Sequence, residues 1–78
     1  MSQPTNICGP MVARLRRKQG LTQVELQQRC KVAGWPVARS VLAKVEKQSR
    51  SVSDFELVAL ALALRVNVGL LLRNHAKA

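Results

Sequence analysis

Apolar residues recur three and four positions apart through most of this chain, which is the spacing of one face of an α-helix. A clear stripe of this kind is formed by Ala38, Val41, Leu42 and Val45. No stretch alternates apolar and polar residues in the way of a half-buried β-strand. The pattern therefore predicts an all-α fold, a compact bundle of about five helices.

Two of these helices have a complete start signal. Thr22 is followed three residues later by Glu25, so each side chain can accept a hydrogen bond from the backbone amide of the other, an arrangement called a capping box. Ser53 and Glu56 repeat the arrangement. We expect helices over about 23–31 and 54–64, together with others over about 10–18 and 37–47 and a short one after Asn67.

The length of 78 residues allows one domain, close to the lower limit at which a hydrophobic core stabilises a chain by itself. We expect a flexible arm over residues 1–8, one folded domain over 9–73 and a frayed tail over 74–78. Residues 57–72 are nearly all apolar, but this run is short for a membrane span and contains Arg65 and Asn67. It is predicted to be core, and no membrane partner is expected.

The charge of the chain is strongly positive, with thirteen Lys and Arg against four acidic residues and a net charge of +9. The basic residues are spread through the sequence instead of being confined to a tail. Basic groups fixed on a folded scaffold neutralise phosphates, which favours a nucleic acid as partner. Ribosomal, membrane-surface and other soluble basic proteins share this charge, so the charge alone does not decide between them.

The residues that usually carry chemistry are sparse. Cys8 and Cys30 lack the paired spacing of zinc ligands, and we expect a reduced, intracellular chain with no metal. Two of the four acidic residues are already used in the capping boxes, and there is no Gly-rich phosphate loop. The sequence therefore predicts a protein that is not an enzyme and that needs no cofactor.

The segment from Leu21 to Glu46 contains two predicted helices joined by a turn that includes Gly34, Trp35 and Pro36. The second of these helices is apolar on one face, and its other face is small and cationic, with Ser40, Ala43, Lys44 and Lys47. This is the order of parts in a helix-turn-helix, whose second helix enters a DNA groove. Small side chains allow close approach to base edges, and flanking lysines can reach phosphates. The segment therefore predicts that the helix over about 37–47 binds double-stranded DNA.

From about Gly9 to Leu72 the chain resembles the phage-repressor and Cro-like helix-turn-helix family, also called the XRE family. The matching pieces are Leu21-Thr22-Gln23, Leu42-Ala43-Lys44-Val45-Glu46 and the segment from Leu60 to Val68. The resemblance implies a lambda-repressor-like bundle and a DNA-binding transcriptional regulator. The turn between the second and third helices is longer than the common family turn by about five residues, as in one variant of the family.

Three residues depart from the family pattern. Gln48 and Arg65 stand where the family often has Gly after a helix, and Ala38 replaces the usual serine cap. Each of these substitutions is expected to cost about 1 kcal/mol.

The resemblance also implies the DNA-contacting residues. Thr22 and Gln23 lie at the exposed start of the second helix, where Gln23 is expected to contact a phosphate and brace the reading helix, or to be an ordinary solvated residue. Arg39 and Ser40 resemble the positions closest to the bases, although Arg39 can equally be a phosphate ligand. The remaining members of the predicted interface are Ala43 and the phosphate ligands Lys44, Lys47 and Arg50.

Two side chains are expected to have structural roles. A carboxylate facing DNA would repel phosphates, and the resemblance implies that Glu46 forms an ion pair with Arg16 on the first helix, the alternative being a solvated glutamate. Trp35 can cover the core from the long turn, which is the favoured interpretation, or stack on a base.

The C-terminal third is predicted to form a two-fold dimer contact. Three adjacent leucines at positions 70–72 cannot all face inward from one helix, and Leu70 and Leu71 are the predicted interface residues. A two-fold dimer would bind an inverted repeat in the operator.

The function predicted from these features is a transcriptional regulator, with repressor favoured over activator. Its expected setting is the bacterial cytoplasm, as a chromosomal or phage-encoded protein associated with the nucleoid. An alternative function is that of an antitoxin, which would neutralise a partner protein and regulate its own synthesis through DNA. The protein partner is a toxin under this alternative, and polymerase is the possible protein partner of a transcriptional regulator. An RNA-binding function is disfavoured because Phe55 and Trp35 are the only aromatic residues.

Overall fold

In a computed structural model of the protein, the backbone of residues 4–76 and the side chains of residues 4–73 are described. These residues form five α-helices and no strand, which confirms the predicted all-α fold. The helices are α1 (Gly9–Lys18), α2 (Gln23–Val32), α3 (Arg39–Glu46), α4 (Asp54–Leu64) and α5 (Val68–Ala76).

Both predicted capping boxes are present. The Thr22 hydroxyl accepts a hydrogen bond from the Glu25 amide at 3.1 Å, and the Glu25 carboxylate accepts one from the Thr22 amide at 2.8 Å. Hydrogen bonding of the carboxylate to Thr22, to its backbone amide first and its hydroxyl second, lowers the pKa of Glu25. Ser53 and Glu56 make the equivalent pair of bonds at 3.3 Å and 3.0 Å. The starts of α2 and α4 are therefore determined locally.

The core is built around α4, which packs against α1, α2 and α5. Its largest fully buried side chains are Leu26, Leu42, Leu60, Leu64 and Leu71. Cys30 is also fully buried, as expected of a small core residue, and burial raises the pKa of its thiol to about 11. Because α3 packs on α1 and α2, the bundle supports one face of α3 and leaves its other face free.

Two helices end in a residue with left-handed backbone conformation that is not glycine. Gln48 has φ 63° and Arg65 has φ 60°, at the two positions where the family often has Gly. Gln48 is held by a hydrogen bond from its Nε2 to the carbonyl of Asn6 at 3.0 Å. The end of α4 is closed by a bond from the Val66 amide to the Ala61 carbonyl at 3.0 Å.

The prediction of a flexible arm over residues 1–8 needs correction for the part of it that the structure describes. Asn6 is buried, and its Nδ2 donates to the carbonyls of Val45 at 3.0 Å and Arg50 at 2.7 Å. Its Oδ1 accepts a bond from the Gly9 amide at 2.8 Å. One buried amide thus ties the N-terminal segment to the end of α3, and Cys8 beside it is core. Residues 1–3 lie outside the described part.

The C-terminal end also differs from its prediction. The backbone of α5 continues to Ala76 instead of ending near residue 73, while residues 77 and 78 lie outside the described part. Leu71 is only 1% exposed because α5 packs this side chain against α1 and α4. A side chain that fills the core of one chain is not available to a partner, so the predicted dimer contact through Leu71 is wrong. Leu70 is partly buried against the same core.

Candidate nucleic-acid interface

The helix predicted over 37–47 is shorter in the structure and begins two residues later. Val37 precedes α3 and is buried, and Ala38 is the N-cap residue, exposed and with extended backbone. Ala38 was predicted to belong to the buried stripe, but the N-cap position turns its methyl group to solvent. Its side chain makes no capping hydrogen bond, so the first amides of α3 lack the side-chain partner that α2 and α4 have.

Substituting Ala38→Ser is expected to stabilise the protein by about 1 kcal/mol, because a serine oxygen can accept the amide hydrogen bond that alanine leaves unmade. The backbone at Ala38 already has the extended conformation of a cap, with φ −78° and ψ 151°. Urea unfolding followed by circular dichroism measures the change. A loss of stability in this variant would show that the start of α3 is not capped at this residue.

The two faces of α3 differ as the sequence predicts. Leu42 and Val45 are fully buried and Val41 is partly buried. On the opposite side Ser40 and Lys44 are exposed and Ala43 is partly exposed, while Lys47 is exposed directly after the helix. The outer face of α3 is therefore small at its centre and cationic at its C-terminal end.

The ion pair between Arg16 and Glu46 is present and joins α1 to the end of α3. Arg16 Nε donates to Glu46 Oε2 at 2.7 Å and Nη2 donates to Oε1 at 3.1 Å, a bidentate geometry. The side chains are only 12% and 6% exposed, respectively. Arg16 Nη1 also donates to the carbonyl of Leu21 at 2.9 Å, just before α2. One guanidinium thus holds the first three helices together.

Gln23 and Arg39 extend this network to the surface. Gln23 Nε2 donates to Glu46 Oε1 at 3.0 Å, and Arg39 Nη1 donates to Gln23 Oε1 at 3.4 Å. Gln23 therefore braces α3, as the resemblance implies. An open depression of about 430 Å³ lies here, between the start of α2 and the start of α3; its lining includes Thr22 and Val24. A cation beside the amide end of α2 gives this depression the charge that attracts a phosphate.

Arg50, predicted as a phosphate ligand, forms an ion pair with Glu56. Its Nη1 and Nη2 donate to the two carboxylate oxygens of Glu56 at 2.9 Å and 3.0 Å. These hydrogen bonds lower the pKa of Glu56 and raise that of Arg50. The guanidinium carbon also lies 5.8 Å from the centre of the Trp35 ring. Since the capping box already explains Glu56, this pair had no signal of its own in the sequence.

Trp35 is partly buried and packs against the core from the turn between α2 and α3. The favoured interpretation, a tryptophan that covers the core, is therefore confirmed. The turn itself is formed by Gly34 with φ 99° and by the extended residues that lead to Ala38. The long turn thus contributes a side chain, Trp35, that packs against the core.

Neither a metal site nor a membrane-spanning helix is found in the part of the chain that is described. Among residues 4–73 no three His, Cys, Asp or Glu side chains come together as metal ligands would. None of the five described helices is both long enough and apolar enough to cross a membrane.

The comparisons with known proteins agree with this architecture. A family model described as helix-turn-helix matches residues 12–71, which include the greater part of α1, all of α2 to α4 and the first four residues of α5. A search of the curated proteins and a search of the solved structures gave no significant match. The matched region contains both helices of the motif, the turn between them and the core that supports them. The chain therefore belongs to the Cro/C1-type (XRE) helix-turn-helix family of DNA-binding transcriptional regulators.

Proposed function

We propose that this protein is a repressor that recognises a double-stranded DNA operator by placing α3 in the major groove. The observation that carries the proposal is the exposed face of α3, small at its centre and cationic at its end, on a helix whose other face holds the fully buried Leu42 and Val45. A helix of this kind can approach base edges closely while its fixed position sets the register on the duplex.

The roles of the individual side chains follow from their places on this face. Ser40 and Arg39 lie at the start of α3, where side chains of a recognition helix are nearest to the bases. Lys44 and Lys47 lie toward its end and, as flexible point charges, suit the phosphates beside the groove. Gln23 connects the start of α3 with its end, because it is hydrogen-bonded both to Arg39 and to Glu46.

Repression would be steric, since a protein bound over a promoter excludes polymerase from the same DNA. The proposed setting is the cytoplasm of a bacterial cell, with the protein encoded by the chromosome or by a phage. A two-fold dimer on an inverted repeat is part of the proposal, because symmetric operators match symmetric proteins.

The test is the variant Arg39→Ala, measured on a duplex selected from a random library and on an unrelated duplex. Arg39 is exposed and its only bond among the described side chains is the long one to Gln23, so we expect nearly unchanged thermal stability. Loss of a base contact should reduce the ratio of specific to nonspecific affinity by about tenfold or more. An unchanged ratio in a folded variant would remove the start of α3 from the reading surface.

A further inference from the structure

Helix α4 exposes large apolar side chains on the side that does not face the core. Phe55 is 88% exposed, Leu62 is 61% exposed and Val58 is 49% exposed. Single exposed apolar residues are common in soluble proteins, but three on one helix face form a surface that suits a partner. We call the exposed side of α4, formed by Asp54, Phe55, Val58, Leu62 and Arg65, the α4 face.

The spacing within the α4 face is that of a helix-pairing seam. Phe55, Val58 and Leu62 are separated by three and then four positions, as core residues are in a coiled coil. At 100° per residue the five members of the face fall within an arc of about 100°. Asp54 and Arg65 lie together along one edge of this arc, and Phe55 and Leu62 lie along the other.

The charges make a second copy of this chain the partner that the α4 face fits. Two chains of net charge +9 repel each other over most of their surfaces. Residues 51–64 contain two acidic residues and no Lys or Arg, so α4 itself adds no positive charge to this repulsion. The face itself carries one acid near its N-terminal end, Asp54, and one base at its C-terminal end, Arg65. Asp54 has no ion pair among the described side chains.

We infer that the α4 face is the contact of a two-fold dimer in which two α4 helices pack antiparallel. In such a pair each edge of the face meets the same edge of its copy, running in the opposite direction. Phe55 then lies opposite the partner's Leu62, and Val58 lies next to the two-fold axis. On the other edge Asp54 comes within reach of the partner's Arg65, and the opposed helix dipoles add to the attraction.

A groove beside the α4 face provides further contact area. It has a volume of about 390 Å³ and lies between the Ala33 to Trp35 turn and the N-terminal half of α4. Phe55 is one of the residues that line this groove. In the proposed antiparallel pair, the partner's Leu62 lies opposite Phe55. The long turn that distinguishes this chain thus forms one wall of the proposed dimer contact.

The contact replaces the dimer surface predicted at Leu70 and Leu71. None of its residues belongs to the candidate DNA interface, so the two surfaces do not overlap. Binding of the dimer to an inverted repeat rests on the proposed function. Self-association of the protein does not rest on the proposed function, and the experiments below test it in the absence of DNA.

The first experiment is sedimentation equilibrium of the wild-type protein and of Phe55→Ser. Wild type should show a monomer–dimer equilibrium, and removal of the exposed ring should weaken the dimer by about tenfold or more. Circular dichroism should report an intact fold, because Phe55 contributes little to the core. The control is Ile7→Ser, which removes a partly exposed apolar side chain outside the α4 face and should leave the dimer unchanged.

The second experiment exchanges the charges. Asp54→Arg alone and Arg65→Asp alone each place like charges together in both halves of the symmetric contact, so each variant should be mainly monomeric. Mixing the two variants should restore a dimer, and so should the double variant D54R/R65D, because every contact again joins opposite charges. A monomeric wild type at concentrations of about 1 mM, equivalent to a very weak association, would overturn the inference. Failure of both the mixture and the double variant to dimerise would overturn it as well, leaving the face to another protein.

Discussion

Substituting Glu46→Ala is expected to destabilise the protein by about 3 kcal/mol, the cost of leaving a buried charge without its partner. Arg16 is the charge in question, with a side chain only 12% exposed and two hydrogen bonds to the lost carboxylate. Gln23 would lose its anchor in the same variant. Urea unfolding monitored by circular dichroism gives the free energy directly.

The matched control for this experiment is Glu25→Ala. Glu25 is also a carboxylate that accepts hydrogen bonds, but it lies on the exposed start of α2 and leaves no buried charge behind when removed. We expect a clearly smaller loss of stability than in Glu46→Ala. Equal losses in the two variants would mean that the buried pair contributes no more than an ordinary surface group.

The double variant Lys44→Ala with Lys47→Ala is expected to weaken binding to every duplex. Each lysine that contacts a phosphate releases about one counterion, so the slope of log affinity against log salt should fall by about two. The loss should be similar for specific and unrelated sequences, because phosphates carry no sequence information. Binding measured by fluorescence anisotropy at several salt concentrations gives both quantities.

A control of equal net charge is available in Arg14→Ala with Arg73→Ala. Both arginines are exposed, one on α1 and one on α5, and neither lies on α2 or α3. This double variant should bind with nearly the wild-type salt slope. If the two double variants behave alike, attraction to DNA depends only on net charge, and the end of α3 has no special place in the complex.

The fold was predictable wherever a local signal determines the structure. The capping boxes at Thr22 and Ser53 set the starts of α2 and α4, and α4 begins and ends as predicted. The start of α3 was less predictable because Ala38 gives no side-chain signal for its cap. Local rules could not place Asn6 either, since its partners Val45 and Arg50 are about forty residues away in the chain.

The candidate site was predictable on α3 and less so around it. Periodicity alone separates the buried stripe of α3 from its outer face. The Arg16–Glu46 pair was implied by the family resemblance, whereas the bond that joins Gln23 to Arg39 depends on how α2 and α3 pack. Arg50 looked like a free cation in the sequence because its partner Glu56 already had a local explanation.

Sequence-specific recognition of duplex DNA is tested by selection from a library of random duplexes. The purified wild-type protein is expected to enrich one sequence, in which a half-site recurs as an inverted repeat. The enriched duplex should bind about a thousandfold more tightly than a random one at physiological salt. If no sequence is enriched and all library members bind according to salt concentration alone, the protein does not recognise a specific DNA sequence.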